Sequence, residues 1–288
     1  FALARAAADA YEANPEAEGL LLVNHGHVTW GPSAKAAYDR LISHVAEVEA
    51  WLTDRRPAPL RPTAAIAAPQ LAELLPVLRG ALASVLPEPT ALPVLDLRGS
   101  DDVRAFLARP DIADLAARGV ATPDHVIRTK GQPLLLSDQV IAAGAGAIRA
   151  EVAAFATRYG AYFERQAPRL GGGAQMLAPM PGLVWLAGGG IIGVGASATA
   201  ARVAADIGEQ TARVMCDGEV AGGFRPIAEA DLFDMEYWPL ERAKLGRAAV
   251  PRFQGQVVLV TGGAGAMGLA TARAFAAQGA SLFLVDRD

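Results

Sequence analysis

The stretch QVVLVTGGAGAMGLATARAFAAQGASLFLVDRD, residues 256–288, decides the fold of the C-terminal part of the chain. Its first apolar run, Val257–Val260, is suited to a buried parallel strand. A glycine-rich turn follows, then a helix that ends at Gly279, then a second apolar run at Leu282–Val285. This order predicts two parallel strands joined by a helix, which is the first half of a doubly wound nucleotide-binding sheet.

The turn and the residue after the second strand predict a dinucleotide site, whereas a purely structural turn would not need that terminal acid. Backbone N–H groups at the start of such a helix approach a pyrophosphate, which the helix dipole favours. A carboxylate at Asp286 would accept from the adenosine ribose hydroxyls and repel a 2′-phosphate, so NAD is expected rather than NADP. The helix is expected to face the sheet through Ala270, Ala274 and Ala277. The predicted cofactor-binding residues are Thr261, Gly262, Gly263, Ala264, Gly265, Ala266, Met267, Gly268 and Asp286.

The form Thr-Gly-x-x-x-Gly-x-Gly resembles the short-chain dehydrogenase/reductase family, with Ala266 in place of the middle glycine of the pattern. The family's catalytic Ser, Tyr-x-x-x-Lys and Asn would lie beyond Asp288. The resemblance therefore implies a Rossmann fold that begins here, with no catalytic residue and no hydride transfer in this chain alone.

The amino-acid composition limits the classes of function that the chain can have. A length of 288 residues with 52% hydrophobic content allows two sizeable cores plus a short third segment. The 26 basic and 30 acidic residues give a net charge of −4 without a basic, aromatic stripe, so nucleic acid is not an expected partner. No apolar run approaches the ~20 residues that span a bilayer. The single cysteine, Cys216, fits a reducing cytoplasm.

A histidine turn stands near the N-terminus, in GLLLVNHGHVTWG at residues 19–31. His25 follows a short apolar strand, beside a glycine that lets the chain bend, and this position suits either a metal ligand in a cleft or an inert hydrogen-bonded histidine. Ser33 is the expected N-cap of the helix that follows. The string resembles class II aldolases and adducin-like domains, which implies that His25 is a zinc ligand. By the same resemblance His27 occupies the family's variable position, where it faces solvent or lies behind the metal ligands. His44, on the following helix, is most simply a surface or packing residue.

That resemblance implies zinc-dependent aldol cleavage, in which the metal polarises a carbonyl and a carboxylate moves a proton. It also implies a His-x-His pair and a catalytic Glu before residue 1, since Glu12, Glu16 and Glu18 are more simply solvated charges. One imidazole is too few for a zinc site, so the isolated chain is expected to bind zinc weakly at best. Tight binding would require His27, His125 or Cys216 to complete a site.

Two strings in the middle of the chain carry a more specific resemblance, PDHVIRTK at 123–130 and FDMEYWPLERAKL at 233–245. The cations at Arg128 and Lys130 beside His125 suit either a phosphate or carboxylate clamp or a buried salt-bridge corner. The order of these strings resembles the bifunctional rhamnulose-1-phosphate aldolase/short-chain dehydrogenase family. That family implies cleavage of L-rhamnulose 1-phosphate to glycerone phosphate and L-lactaldehyde, coupled to NAD-dependent oxidation.

An internal repeat is also visible. VNHGHVTWGPSAKAAY from Val23 aligns without gaps to AGGGIIGVGASATAAR from Ala187, which matches Ser33 to Ser197 and His25 to Gly189. We predict that residues 19–52 and 182–215 are copies of one strand–turn–strand–helix unit, the second without its metal ligand. The glycines of the second copy are not expected to form a dinucleotide turn, because no acid ends a following strand.

The predicted fold is α/β in three parts. Residues 1–56 form the C-terminal part of a class II aldolase-like domain, residues 57–250 a second aldolase-like unit with a linker, and residues 251–288 the first β-α-β of a Rossmann fold. Alternatives are a non-catalytic adducin-like scaffold and a nucleotide-binding oxidoreductase without aldolase activity. Small phosphorylated ketose and aldehyde substrates, a homo-oligomer and a cytoplasmic location are expected.

Overall fold

The structure is a computed structural model that describes residues 2–23, 25–57, 61–86, 92–171, 173–245 and 251–287. Asn24, part of the Asn-His-Gly string, lies outside the described residues. The chain divides into two compact units, of which the first comprises residues 1–59 with 216–227 and the second residues 60–215 with 228–288. The predicted boundaries at 56/57 and 250/251 remain predictions.

The first unit is a β-hairpin between helices. It contains α1 (Ala2–Ala13), β1 (Gly19–Leu22), β2 (Gly26–Thr29) and α2 (Ala34–Arg55). The two strands pair antiparallel, from Gly19 opposite Thr29 to Leu22 opposite Gly26. Helix α1 contacts β1, and Tyr11 packs edge-on against Trp30 with ring centroids 5.2 Å apart. No residue of α1 or α2 is buried, so this unit exposes much of its apolar surface.

The second unit begins with an α/β layer structure. Its helices and strands in chain order are α3 (Ala68–Ser84), β3 (Val94–Arg98), α4 (Asp101–Leu107), α5 (Ile112–Arg118), α6 (Val126–Thr129), β4 (Leu134–Leu136), α7 (Asp138–Ala143), α8 (Ala145–Gln166), β5 (Leu183–Leu186), β6 (Gly190–Gly195), α9 (Ala198–Val220), α10 (Glu229–Tyr237) and α11 (Pro239–Ala243). Short 3-10 turns at Pro123–His125 and Ala167–Leu170 precede α6 and follow α8. The C-terminal end of α9 belongs to the first unit.

A four-stranded sheet in the order β3-β6-β5-β4 forms the centre of the second unit. Only β4 and β5 run parallel, while the other neighbours are antiparallel. Helices α3 and α8 contribute Leu78 and Val152 to a core with Val184 and Ile192 on one sheet face. On the other face, Trp185 is fully buried and meets the ring of Phe106 with centroids 5.0 Å apart. The tight hydrophobic packing on both faces explains why β5 and β6 read as continuous apolar runs.

The chain ends in a separate two-stranded parallel sheet within the second unit, formed by β7 (Val257–Thr261), α12 (Ala266–Ala277) and β8 (Ser281–Val285). Val257 pairs with Ser281 and Thr261 with Val285. The predicted side-by-side parallel strands are confirmed.

The internal repeat is confirmed in topology and register. Both copies are an antiparallel hairpin followed by a long helix. Gly19 faces Thr29 and Leu22 faces Gly26 in the first hairpin, while Leu183 faces Gly193 and Leu186 faces Gly190 at the corresponding places of the second. The antiparallel pairing of β5 with β6 also confirms that the glycines around residue 190 do not form a dinucleotide turn.

The helix starts of the two copies match down to individual atoms. Ser33 Oγ accepts from Ala36 N and Ser197 Oγ accepts from Ala200 N, each at 3.2 Å. A methyl group on Gly31 would collide with Ala36 and Ala37, and one on Gly195 would collide with the corresponding Ala200 and Ala201. Glycine is needed at this position because the helix passes close over the second strand.

Among the described residues, no helix is both long enough and apolar enough to cross a membrane.

Candidate functional site

The nucleotide turn lies at the carboxyl end of β7, between the two parallel strands, as predicted. Gly262 has φ +68°, a conformation that only glycine adopts readily. A side chain at Gly268 would collide with the carbonyl of Gly262, and one at Gly263 would approach Leu284 Cβ to 3.0 Å. These glycines therefore let the helix start close against the strand.

The N-terminus of α12 is open. Gly265 is its N-cap and supplies no side-chain hydrogen bond. The first N–H groups of an α-helix have no acceptor within the helix, so those of Ala266, Met267 and Gly268 are the natural donors for an anion. Ala266 is exposed at the first helical position and Met267 is 87% exposed. The methyl group of Ala266, where the pattern has glycine, therefore does not close the turn.

Asp286 is placed at the same edge, and it already holds the turn. Its Oδ2 accepts a hydrogen bond from Ala264 N at 2.9 Å, and its Oδ1 accepts from Arg287 N at 2.8 Å. Sequence reasoning assigned Asp286 to the ribose alone and missed this bond. A carboxylate oxygen has two lone pairs, so the bond to the turn leaves acceptor capacity for a ribose hydroxyl.

The predicted inner face of α12 is wrong. Ala270, Ala274 and Ala277 are exposed, while Ala272 is buried and Phe275 half-buried. The close approach at Gly268 sets the helix rotation, so that the buried positions recur four and seven residues after it. Alanine is too common along this helix for its spacing to identify the face.

His25 lies in the turn between β1 and β2, at a strand end as predicted. Its N–H donates to Leu22 O at 2.9 Å, and its side chain is exposed. No group of three or more His, Cys, Asp or Glu side chains able to hold a metal occurs among the described residues. The described residues around His25 therefore do not make a zinc site by themselves.

Two other histidines of the first unit lie side by side, and no local sequence pattern indicates this contact. His27 Nε2, on β2, lies 3.1 Å from His44 Nδ1, on α2. His44 Nε2 is 3.7 Å from Glu18 Oε2, and Arg40 Nη2 is 3.3 Å from the other oxygen of Glu18. His44 thus packs between a histidine and a carboxylate, which agrees with the packing role expected for it.

The two strings of the second unit also come together, since α10 contacts both α6 and the 3-10 turn before it. Glu236, fully buried on α10, accepts from Lys130 Nζ at 3.2 Å and from Tyr159 OH at 2.7 Å. Burial lowers the pKa of Lys130, and Glu236 opposes that shift. On the outside, Lys244 Nζ pairs with Asp124 at 3.2 Å. Of the two alternatives for this region, the geometry favours the buried salt-bridge corner.

A chain of hydrogen bonds extends this corner. Leu177 N donates to Tyr237 OH at 3.2 Å, and the hydroxyls of Tyr237 and Tyr159 are 2.8 Å apart. Because Tyr159 donates to Glu236, the donors all point towards the carboxylate, which suits a negative charge in a buried place. Burial raises the pKa of Tyr159, with Glu236 adding to the effect.

Lys130, which pairs with Glu236, has an unusual backbone conformation. Its φ of +65° and ψ of 173° make it the one non-glycine residue with positive φ in the described part of the chain. Such a conformation costs a side-chain-bearing residue roughly 1–3 kcal/mol and persists only where its surroundings enforce it. The ammonium lies 3.9 Å from the ring centroid of Tyr159, so a cation–π contact joins the ion pair. No local sequence signal marks Lys130, Tyr159 and Glu236 as partners.

Comparison with known proteins identifies a family and a relative for this chain. Residues 69–245, more than half of the chain, match the family described as aldolase class II, second domain. The chain is 31% identical over 303 aligned positions to the protein named uncharacterized oxidoreductase YuxG of Bacillus subtilis (strain 168). That alignment covers 99% of this chain and 42% of the relative, so the chain spans less than half of the relative's length. No solved structure matches the chain.

Proposed function

This chain belongs to the family of class II aldolase second domains, and we propose that it joins an aldolase to a dehydrogenase within a longer bifunctional enzyme. The aldolase half would cleave L-rhamnulose 1-phosphate to glycerone phosphate and L-lactaldehyde. The dehydrogenase half would use NAD to oxidise the aldehyde. Joining the two would keep a reactive aldehyde at high effective concentration near its second catalyst.

The observation that carries the proposal is the β7–turn–α12–β8 unit that follows the family region in chain order. Its parallel strands, the close approach at Gly268 and the open helix N-terminus fit the pyrophosphate of a dinucleotide. The relative that aligns along almost the whole chain carries the word oxidoreductase in its name, which agrees with this assignment.

In the dehydrogenase half, this chain would bind and orient the cofactor. The N–H groups of Ala266, Met267 and Gly268 would donate to the pyrophosphate. Asp286 would keep the turn in place through Ala264 N and accept from the ribose with its remaining lone pairs. Bound NAD would supply the hydride acceptor, and the residues that move the proton would come from outside this chain.

In the aldolase half, the chain would supply one zinc ligand, His25, to a site completed by further residues. Bound zinc acts as a Lewis acid on a ketose carbonyl. The imidazole at the tip of the hairpin is exposed and therefore accessible to a zinc ion. The identity of the sugar phosphate rests on the resemblance that the combined order of the Asn-His-Gly, PDH, EYW and TGG strings carries.

The test uses the intact longer protein supplied with zinc, NAD and L-rhamnulose 1-phosphate. We expect glycerone phosphate to form at a rate that His25→Ala reduces at least a hundredfold, and NADH to form only after cleavage. NADH formation from L-lactaldehyde without any cleavage would support an oxidoreductase that lacks aldolase activity. If neither product forms, the result would support the adducin-like scaffold and contradict the proposal.

A further inference from the structure

We propose that His27 and His44 form a two-imidazole binding site for a divalent transition-metal ion, with Glu18 as the carboxylate that orients His44. The two ring nitrogens lie 3.1 Å apart, one on strand β2 and the other on helix α2. Two nitrogens bound to one tetrahedral zinc ion at 2.0–2.1 Å stand about 3.3 Å apart. The two nitrogens are thus within a few tenths of an ångström of the separation that chelation requires.

The outer nitrogen of His44 supports the same assignment. Glu18 Oε2 lies 3.7 Å from His44 Nε2, and Arg40 holds the other carboxylate oxygen. Metal-binding histidines commonly present their second nitrogen to a carboxylate, which fixes the tautomer and raises the basicity of the ligand. A proton on Nε2 would leave the lone pair of Nδ1 facing His27.

His27 would bind the ion by a change of tautomer. In the metal-free pair, one of the two facing nitrogens must carry the hydrogen that the other accepts. When His44 Nδ1 is the acceptor, His27 Nε2 is the donor. Transfer of that hydrogen to His27 Nδ1 frees the second lone pair with no net loss of a proton from the protein.

The internal repeat shows that the fold does not need these polar residues. At the corresponding places the second copy has Gly182 for Glu18, Ile191 for His27 and Gly208 for His44. A methyl group on Gly208 would lie 2.7 Å from Ile191 Cγ2, so the same strand and helix positions touch in both copies. In the second copy these positions carry only apolar groups, whereas in the first copy they carry two imidazoles and a carboxylate.

Imidazole pairs favour zinc, copper and nickel over magnesium and calcium. The side chain of His44 is 29% exposed, so solvent or an external ligand has access to the remaining coordination positions. Two protein ligands give weaker binding than the three or four of established zinc sites. This weak site agrees with the expectation that the chain lacks a tight one.

The experiment titrates Zn²⁺ alone into the 288-residue chain by calorimetry at neutral pH, with circular dichroism of every variant to confirm the fold. We expect saturable binding of about one ion per chain. His27→Ile, which installs the residue of the second copy, and His44→Ala should each remove it. Glu18→Gln should weaken it about tenfold, as loss of a carboxylate behind a histidine ligand does. Glu16→Gln, a neighbouring exposed glutamate, is the matched control and should leave the affinity unchanged.

Three results would overturn the proposal. The first is no saturable Zn²⁺ binding by the folded chain. The second is binding that persists in both folded His27→Ile and His44→Ala variants. The third is binding that His25→Ala abolishes while these two variants retain it, because the ion would then be held at the hairpin tip.

Discussion

At the scale of single residues, Asp286 has two roles that different substitutions separate. Its carboxylate accepts from Ala264 N in the turn and is proposed to accept from the ribose. Alanine removes both interactions, whereas asparagine keeps an oxygen for Ala264 and loses only the charge. The two variants therefore distinguish a collapse of the turn from a change in cofactor preference.

We predict that Asp286→Ala in the intact protein weakens NAD far more than NADP. Hydrogen bonds to a charged acceptor are worth roughly 1.5–3 kcal/mol, or about ten- to a hundredfold in the NAD dissociation constant. Asp286→Asn should lose less NAD affinity and gain NADP affinity, because the repulsion of the 2′-phosphate disappears. Fluorescence titration of both cofactors measures this, and equal losses for the two would contradict the specificity argument.

Glu236 is the residue on which the buried corner depends. We predict that Glu236→Gln lowers the free energy of unfolding by roughly 3–5 kcal/mol, because Lys130 would remain buried without its partner. Tyr159→Phe should cost about 1–2 kcal/mol through the lost hydrogen bond. Urea unfolding followed by fluorescence of the buried Trp185 reports on this unit.

The matched control lies on the same helix. Glu229 pairs with Arg165 at 3.0 Å, and both side chains are about half exposed, so Glu229→Gln should change stability by less than about 1 kcal/mol. Similar losses for the two glutamates would show that Glu236 is not a buried structural anion.

His125 makes the folding stability of the second unit depend on pH. Burial lowers its pKa below the ordinary 6.5, with Asp124 opposing the shift. The unfolded chain therefore binds a proton at a pH where the folded chain does not, so folding stability falls as the pH drops through 6.5 towards the folded pKa. We predict that His125→Gln loses less stability than the parent chain between about pH 7 and pH 5. Urea midpoints at both pH values measure this, and parallel losses would contradict it.

At the scale of elements, the two copies of the repeat permit a paired test. Ser33 and Ser197 cap their helices through the same bond, which is worth about 1 kcal/mol. We predict that Ser33→Ala speeds amide exchange at Ala36, and Ser197→Ala at Ala200, by roughly fivefold each. Aspartate at either position should restore protection. Hydrogen exchange resolved by NMR measures this, and a change only in one copy would contradict equivalent caps.

The two helices of the repeat differ on their outer faces. Tyr38, Ile42 and Val45 of α2 are 62%, 48% and 52% exposed. The corresponding positions of α9 hold Arg202, Asp206 and Glu209, which suit solvent. The common fold therefore does not explain the apolar face of α2.

The elements themselves were largely predictable, because their cues are local. Serine before Ala34 and before Ala198 marks the helix starts, and glycine marks the bends between strands. The buried corner was not predictable, since Lys130 and Glu236 are distant in sequence and only the packing of α10 against α6 unites them. The His27–His44 contact was not predictable for the same reason. The buried face of α12 was not predictable because alanine occupies several faces of that helix.

At the scale of the whole molecule, large apolar side chains are exposed in both units. Leu21 and Val23 of the first unit are 78% and 84% exposed, and Leu259 and Phe283 of the β7–β8 sheet are 61% and 62% exposed. Extended apolar patches in soluble proteins mark surfaces that another element or subunit covers. In the longer enzyme proposed above, other parts of the polypeptide would cover these faces.

The shared register of the two hairpins also bears on how the chain folds. Strands of two hairpins that share a register can exchange partners while they assemble, which is a typical misfolding route of repeated sequences. A β2 strand that paired with β5 would carry His27 into the place of the fully buried Ile191. Burial of an unpaired polar group there costs several kcal/mol. We expect His27→Ile to lower the refolding yield, measured after dilution from urea, because the polar residues that distinguish one hairpin from the other also keep the wrong strands apart.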